Sequence, residues 1–267
     1  MKIIFRFLYL LWAIFWFLLI MLLIFPLVII ASFFGRIRGG NFLYKLLHLW
    51  ADIWFFLAGM RVMVNNHQEA VPDPLLPEHN RQYVFVANHV SNLDAAFLVK
   101  VIRQPFRPLG KIELVKIPVF GYIYKMAVVT VDRGDAKHRS KSIRNLRSII
   151  NKGISILIFP EGTFNETGMP MKECYDGAFR LAIETQTPIK PVIFPDTYAR
   201  LQVDKNATLN PGICRAIWLD EIPVDGMTLT DVPRLKQQVM NVMSSALQQN
   251  NASWIRYEQQ GQLKGLA

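Results

Sequence analysis

A histidine and an aspartate five residues apart, His89 and Asp94, form the pair of side chains in this sequence best suited to acid–base chemistry. The apolar run at 83–87 is short and rich in β-forming residues, which predicts a buried strand that ends just before His89. Ser91 and Asn92 then signal a helix start, which places Asp94 in the first helical turn. An imidazole held by a carboxylate can act as a general base, because the carboxylate fixes its tautomer and stabilises the imidazolium.

The same residues also have a purely structural interpretation. Ser91 and Asp94 are spaced as in a capping box, and the helix dipole favours an acidic residue in a first turn. The choice between the two interpretations therefore depends on the rest of the chain.

Predicted strands and helices alternate along the chain after residue 60, which is typical of an α/β fold with a mostly parallel central sheet flanked by helices. Three of the strands end in polar residues, namely His89, Arg133 and Glu161. Because parallel strands have their carboxyl ends at one edge of a sheet, these residues are expected to lie close together. The predicted strands are residues 61–65, 83–87, 127–131, 154–159, 189–194 and 216–219.

An uncharged N-terminal stretch, residues 7–34, predicts a membrane anchor. As one helix it would be roughly 42 Å long, more than the ~30 Å hydrocarbon core, and Pro26 is expected to divide it. Its length and internal tryptophans argue against a cleaved signal peptide. The next stretch, Phe42–Met60, carries Lys45, His48 and Asp52 on one face and is expected to be amphipathic.

Two arrangements of these N-terminal helices fit the sequence. The first helix spans the bilayer while the second lies on its surface, or the two form a hairpin that enters one leaflet. Basic residues at both ends of the first stretch leave the orientation undecided. The predicted organisation is membrane-anchoring helices over 1–60, a catalytic domain over 61–250 and a polar tail over 251–267.

The net charge of +10 would suit either a nucleic acid or an anionic membrane surface. The apolar N-terminus favours the membrane, and no zinc-finger spacing or basic heptad region supports a nucleic-acid partner. The two cysteines, Cys174 and Cys214, are far apart, which indicates a reducing compartment and no disulfide framework.

Four short motifs, in this order, resemble those of the glycerolipid acyltransferase family, which includes the 1-acylglycerol-3-phosphate acyltransferases. The segment between the first two motifs, Lys111–Leu114 followed by Pro118 and Gly121, is also similar to that family. The motifs are Asn88-His89 with Asp94, Val131-Asp132-Arg133, Phe159-Pro160-Glu161-Gly162-Thr163, and a strand containing Pro191.

The resemblance implies an acyl transfer at a cytoplasmic membrane, with the catalytic domain on the cytoplasmic face. His89 would deprotonate the hydroxyl of a lysolipid acceptor and Asp94 would orient it. The acceptor implied first is 1-acylglycerol-3-phosphate, which would give phosphatidic acid. The donor would be an acyl thioester, either acyl-CoA or acyl carrier protein, and no metal or other cofactor is implied.

The resemblance also implies the groups that bind the acceptor. Arg133 and Lys111 would contact its phosphate, and Glu161 with Gly162 and Thr163 would position its glycerol. From the residues alone, Arg133 would more often be a surface arginine after a strand, and Glu161 could equally cap a turn. Pro191 is expected to shape an edge strand without touching substrate.

One residue departs from the family pattern. Many members that use a phosphate-bearing acceptor continue the third motif with arginine, whereas this chain has Phe164. Losing one charge-assisted hydrogen bond would weaken phosphate binding by about 1.5–3 kcal/mol. Arg180, Lys172 or Lys111 could compensate. Otherwise the acceptor is another lysolipid, such as an amino-acid lipid with a free hydroxyl. A separate alternative is a membrane-anchored lipid-binding protein without turnover, against which the intact His89, Asp94 and Glu161 argue.

Overall fold

The computed structural model describes residues 2–66, 81–132, 136–202 and 208–256. Strands and helices alternate through the catalytic region, as predicted. The strands are β1 (Met60–Asn66), β2 (Val84–Ala87), β3 (Phe106–Lys111), β4 (Val129–Val131), β5 (Ser155–Ile158), β6 (Ile189–Ile193) and β7 (Gly212–Trp218). The helices are α1 (Lys2–Ser32), α2 (Gly40–Leu57), α3 (Leu93–Val101), α4 (Phe120–Ala127), α5 (Ala136–Ile150), α6 (Gly177–Thr185), α7 (Thr197–Arg200) and α8 (Val232–Gln249).

The strands in the described ranges form one sheet of seven strands, in the order β1-β7-β6-β2-β5-β3-β4. Neighbouring strands run parallel except β6 and β7, which are antiparallel. The five strands from β6 to β4 therefore share one direction and have their carboxyl ends at a common edge. The predicted α/β fold with a mostly parallel sheet is confirmed.

Each face of the sheet carries its own hydrophobic core, because successive side chains of a strand point to opposite faces. Phe85 and Ala87 of β2 belong to a cluster with α1, α2, α3 and α4. Val84 and Val86 belong to a second cluster with α5, α6 and α8. The N-terminal helices are thus one of the two layers that cover the sheet.

Helices α1 and α2 pack as an antiparallel hairpin joined by a π-helical turn at Gly35–Gly39. The indole N–H groups of α2 donate to carbonyls of α1, from Trp54 to Ala13 at 2.9 Å and from Trp50 to Phe17 at 3.3 Å. Because Trp54 contacts Ala13 and Trp50 contacts Phe17, the two helices run in opposite directions. This packing matches the second of the two expected arrangements, whereas the depth of the hairpin in a bilayer stays a prediction.

One expectation about the N-terminal helices is wrong. Pro26 does not divide the first helix, since α1 continues from Lys2 to Ser32 with Pro26 inside it. The polar residues of α2 also make contacts within the protein, because Asp52 pairs with Lys100 and Arg103. The Asp52 carboxylate therefore fixes α2 to α3, which contains Lys100, and to the residues just after α3, where Arg103 lies.

Pro191 does not lie in an edge strand, because β6 is placed between β7 and β2. The carbonyl of Pro191 accepts from Leu219 on the β7 side at 3.0 Å, so its nitrogen faces that side too. Pairing of β6 with β7 starts only at Val192. The proline therefore removes no hydrogen bond from the ladder with β2, which explains how an interior strand accepts it.

The first residues of the predicted polar tail are packed against the rest of the protein. Trp254 is 5% exposed and its indole N–H donates to the Met169 carbonyl at 3.0 Å. The Arg256 N–H donates to the Gly168 carbonyl, also at 3.0 Å. The segment after α8 therefore lies against the loop that follows β5, and the rest of the predicted tail lies outside the described residues.

Candidate active site

Four consecutive strands of the sheet bring the sequence motifs to one edge. His89 follows β2, and the neighbouring β5 leads into Glu161. Next in the sheet is β3, which ends at Lys111, and then β4, which leads to Asp132. The predicted convergence of the strand ends is therefore present. It sits where open α/β sheets place their ligands.

His89 and Asp94 form the predicted pair, with 3.0 Å between His89 Nδ1 and Asp94 Oδ2. The same Oδ2 also accepts the backbone N–H groups of Val90 and Ser91 at 2.8 Å. Because the carboxylate only accepts, it selects the tautomer with hydrogen on Nδ1 and leaves the Nε2 lone pair for a substrate. Asp94 is fully buried, whereas the His89 side chain keeps 18% of its exposure.

The backbone of His89 is held on both sides by the loop after β5. Glu161 Oε1 accepts the His89 N–H at 3.0 Å, and the Asn165 N–H donates to the His89 carbonyl at 2.7 Å. The other oxygen of Glu161 accepts the Lys172 N–H at 3.0 Å. Both carboxylate oxygens are therefore occupied by backbone donors. In this geometry Glu161 fixes the position of His89, and a direct contact with the acceptor glycerol stays a prediction.

Glu161 is also electrostatically unusual. Its residue is fully buried, and this desolvation raises the pKa of Glu161 to about 7, against the lowering effect of the Lys172 and His89 N–H donors. Strongly shifted pKa values are frequent among the residues of functional sites.

Two phenylalanine rings contact the His89 imidazole. Phe159 stacks on it with ring centroids 4.1 Å apart and planes 13° apart. Phe164 lies with its centroid 4.4 Å away, at 57°. Aromatic faces favour the imidazolium that would form during proton transfer and restrict the orientation of the ring. The departure at residue 164 therefore places an aromatic ring directly against the candidate base.

The glycine of the third motif is required by its backbone. Gly162 has φ +73°, and a Cβ there would lie 2.6 Å from the ring of Tyr175. Only glycine adopts this conformation without strain under that ring. Thr163 is exposed, and the Lys172 ammonium donates to its hydroxyl. The Lys172 ammonium is thus bound to Thr163, the residue before Phe164.

The remaining predicted site residues are less closely connected. Lys111 ends β3 with an exposed side chain, at the same edge as His89. Arg133 lies outside the described residues, so its role stays a prediction. Arg180 is exposed on α6 and pairs with Glu184.

Two residues that position the site had no role assigned from the sequence. Asn88 is fully buried and bonds the backbone of Phe194 at both ends of its amide, with Oδ1 accepting at 2.8 Å and Nδ2 donating at 3.3 Å. This contact ties the end of β2 to the end of β6. Asn165 is the other, and only its proximity to the third motif could have suggested it.

Comparison with known proteins identifies the family. A family model described as acyltransferase matches residues 61–195, just over half of the chain. The chain belongs to the acyltransferase family. This acyltransferase is 30% identical over 214 residues to human 1-acyl-sn-glycerol-3-phosphate acyltransferase alpha, covering 78% of this chain and 71% of that protein. It is 31% identical over 169 residues to the human beta protein, covering 62% and 59% of the two chains.

The fold of the acyltransferase is also found in a solved structure. It is similar to the 1-acyl-sn-glycerophosphate acyltransferase PlsC from Thermotoga maritima, with a TM-score of 0.72 and 22% sequence identity. The match covers 96% of this chain and 100% of the other. The predicted family and the predicted enzyme class, an acyltransferase, are confirmed.

Proposed function

We propose that this acyltransferase is bound to a membrane and transfers a fatty acyl group to the free hydroxyl of a lysolipid. The donor is a thioester, either acyl-CoA or acyl carrier protein. The leading acceptor is 1-acylglycerol-3-phosphate, which gives phosphatidic acid. The names of the human and Thermotoga relatives support this acceptor.

The observation that carries the proposal is the 3.0 Å contact between His89 Nδ1 and Asp94. His89 Nε2 takes the proton of the acceptor hydroxyl, and the oxygen attacks the thioester carbonyl carbon. The C–S bond breaks when the tetrahedral intermediate collapses, and the thiolate receives the proton from the imidazolium. Asp94 stabilises that imidazolium throughout the step. The products are an ester and a free thiol.

The apolar N-terminus supports the membrane part of the proposal. The stretch Ile4–Ser32 of α1 is long and apolar enough to cross a membrane, as judged by its length and composition. Large apolar side chains are exposed along it, with Phe5 72% and Leu23 68% exposed. We place the protein at the cytoplasmic membrane with its catalytic domain on the cytoplasmic side, where acyl thioesters would be available.

Phe164 favours a second candidate acceptor. Its ring, 4.4 Å from that of His89, places an apolar group where the family resemblance implies a phosphate-binding arginine. A lysolipid without a phosphate, such as an amino-acid lipid with a free hydroxyl, would need no such cation. The mechanism at His89 would be the same for either acceptor.

An acceptor panel tests both candidates. The purified wild-type protein in detergent is compared with His89→Ala, with acyl-CoA and acyl carrier protein as donors. The acceptors are 1-acylglycerol-3-phosphate and a set of phosphate-free lysolipids. Removing a general base should lower the rate by roughly 10²–10⁴-fold. Thermal unfolding of both proteins serves as the folding control.

Product from the phosphate-bearing acceptor, lost in His89→Ala, would establish the phosphatidic acid step and show that Phe164 is compatible with it. Product from phosphate-free acceptors alone would move the activity to the second candidate. If folded wild-type protein gave no product with any pair, or if His89→Ala were as active as wild type, the proposal would be wrong.

A further inference from the structure

An exposed apolar segment lies outside the N-terminal hairpin, between the end of β3 and the end of α4. Beyond the hairpin, eight large apolar side chains in the described ranges are well exposed, and four of them fall within nine residues. Isolated exposed apolar residues are normal, whereas a local group marks an interaction surface. The four are Leu114 (36% exposed), Ile117 (45%), Val119 (36%) and Tyr122 (42%).

The backbone of this segment is strained at Val119. Val119 has φ +60° and ψ −60°, a conformation that a β-branched residue rarely adopts. The Phe120 N–H donates to the Pro118 carbonyl at 2.6 Å and closes a three-residue γ-turn around Val119. Ile117 and Val119, on either side of Pro118, are both exposed and contribute nothing to the buried core in return. Strain that is kept on an exposed turn indicates a function for that turn.

The segment is continuous with the membrane helix. The Tyr122 hydroxyl donates to the Ser32 hydroxyl at 2.8 Å, and the ring of Tyr122 contacts Phe25 with centroids 5.9 Å apart. Just beyond Ser32, Phe33 and Phe34 are 83% and 66% exposed. The apolar segment therefore extends the exposed apolar surface at the C-terminal end of α1.

Cations surround this apolar surface. Four exposed basic side chains lie on the segment or contact it, against the exposed carboxylate of Glu113, which gives a local net charge of +3. Apolar side chains surrounded by Lys and Arg are typical of protein surfaces that bind at the interface of an anionic bilayer. The basic residues are Lys111, Lys116 and Lys125 of the segment and Arg36, whose guanidinium donates to the Lys125 carbonyl at 3.0 Å.

We propose that residues 111–125, which we call the interfacial segment, insert their exposed apolar side chains into an anionic phospholipid leaflet beside α1. The segment would be a second membrane contact, formed by the catalytic domain itself. Because it begins at Lys111, it would hold the edge of the sheet that carries His89 against the leaflet. The inference concerns membrane binding and does not depend on the identity of the acceptor.

Site-specific labelling tests the proposal without relying on activity. Both native cysteines are buried, so a cysteine introduced at the surface is selectively accessible to a thiol reagent. Ile117→Cys is labelled with an environment-sensitive fluorophore and reconstituted into vesicles of neutral and anionic phospholipid. The control is Leu229→Cys, because Leu229 is 46% exposed and precedes α8, which packs on the opposite face of the sheet.

Quenching by lipids with a nitroxide on the acyl chain is the measurement. We expect the label at residue 117 to be quenched severalfold more than the label at residue 229. Replacing the anionic lipid with neutral lipid should reduce quenching at 117, and Lys116→Gln with Lys125→Gln should reduce it in anionic vesicles. Thermal unfolding verifies that each labelled protein is folded.

Equal quenching at the two positions in folded protein would overturn the proposal. A label at residue 117 that stays unquenched in vesicles would overturn it as well. That outcome would indicate that the exposed apolar surface binds a protein partner. Quenching at 117 that is the same in neutral and anionic vesicles would overturn the electrostatic part. None of these results depends on acyl transfer, so they are distinguishable from a failure of the proposed function.

Discussion

The candidate base is positioned more by its main chain than by its side chain. His89 is bonded through its N–H to Glu161, through its carbonyl to Asn165 and through its ring to Asp94. Each of the two carboxylates also accepts other backbone N–H groups. A base fixed in this way needs little reorganisation when the reaction starts, which is how preorganised sites lower a barrier.

The raised pKa of Glu161 gives a prediction for pH dependence. The unfolded chain releases this proton near 4.5 and the folded chain near 7, so the stabilising contribution is complete below 4.5 and is lost as the pH rises through about 7. Glu161→Gln cannot ionise and should remove this dependence. Between pH 5 and pH 8 the stability of wild type relative to Glu161→Gln should fall by roughly 2 kcal/mol.

Thermal midpoints of the two proteins in the same detergent, measured from pH 5 to pH 8, check this. Comparing them cancels the titration of all other groups. A difference in midpoint that is constant over this range would mean that Glu161 is ionised throughout. The variant should also lose activity at every pH, because an amide cannot accept both backbone N–H groups with its single oxygen.

The sequence allowed the His89–Asp94 contact to be predicted, because both residues belong to one strand–turn–helix unit. It did not reveal that Glu161 and Asn165 hold the His89 backbone. That contact requires β2 and β5 to be neighbours, although they are about 70 residues apart in the chain. The order of the motifs along the sequence indicates which residues lie at the same edge of the sheet. The order of the strands within the sheet determines which of those residues are in contact.

At the scale of the elements, the missed strand was β3, because it contains a proline and a glycine. The Pro105 carbonyl accepts from Ser155 of β5, so three residues later Pro108 turns its nitrogen away from β5. Pairing with β4 starts at Leu109, after the proline. A proline is therefore tolerated in a strand where its nitrogen, which lacks a hydrogen, faces no paired residue of a neighbouring strand. A single sequence does not show which positions these are.

The turn between α1 and α2 depends on close packing, which gives a second prediction. A Cβ on Gly39 would lie 2.0 Å from the carbonyl oxygen of Ala31. Helix propensity alone would favour alanine by about 1 kcal/mol. The overlap is with backbone and cannot be relieved by a rotamer change, so overpacking of about 1–3 kcal/mol or more should dominate.

Gly39→Ala should therefore lower the thermal midpoint. Gly177→Ala is the matched control, because the nearest atom to its Cβ is Ile143 Cδ1 at 3.8 Å, an ordinary contact. The control is expected to change stability by no more than about 0.5 kcal/mol. Equal midpoints for the two variants would show that the α1–α2 turn can shift without cost.

At the scale of the whole molecule, the end of the chain supports the candidate active site. Trp254 follows α8 and donates to the Met169 carbonyl at 3.0 Å. The same carbonyl accepts from the Asn165 amide at 2.9 Å, and the Asn165 backbone holds His89. Residues 250–256 therefore hold the loop after β5 in place, a role that their polar composition did not suggest.

This connection predicts that a change far from the reacting atoms lowers the rate. Trp254→Ala should destabilise the protein by about 3–5 kcal/mol through the cavity it leaves. It should also loosen the Met169–Asn165 contact and so misplace His89, which would lower kcat by roughly tenfold for each 1.4 kcal/mol of lost positioning.

Met243→Ala is the control, because Met243 is fully buried in the same core on α8 and should cost about 2–5 kcal/mol. Both variants are assayed at a temperature where thermal unfolding shows each to be folded, and only Trp254→Ala should lose activity. If both kept wild-type kcat, the end of the chain would act on stability alone; if both lost it equally, kcat would follow global stability and not the position of His89.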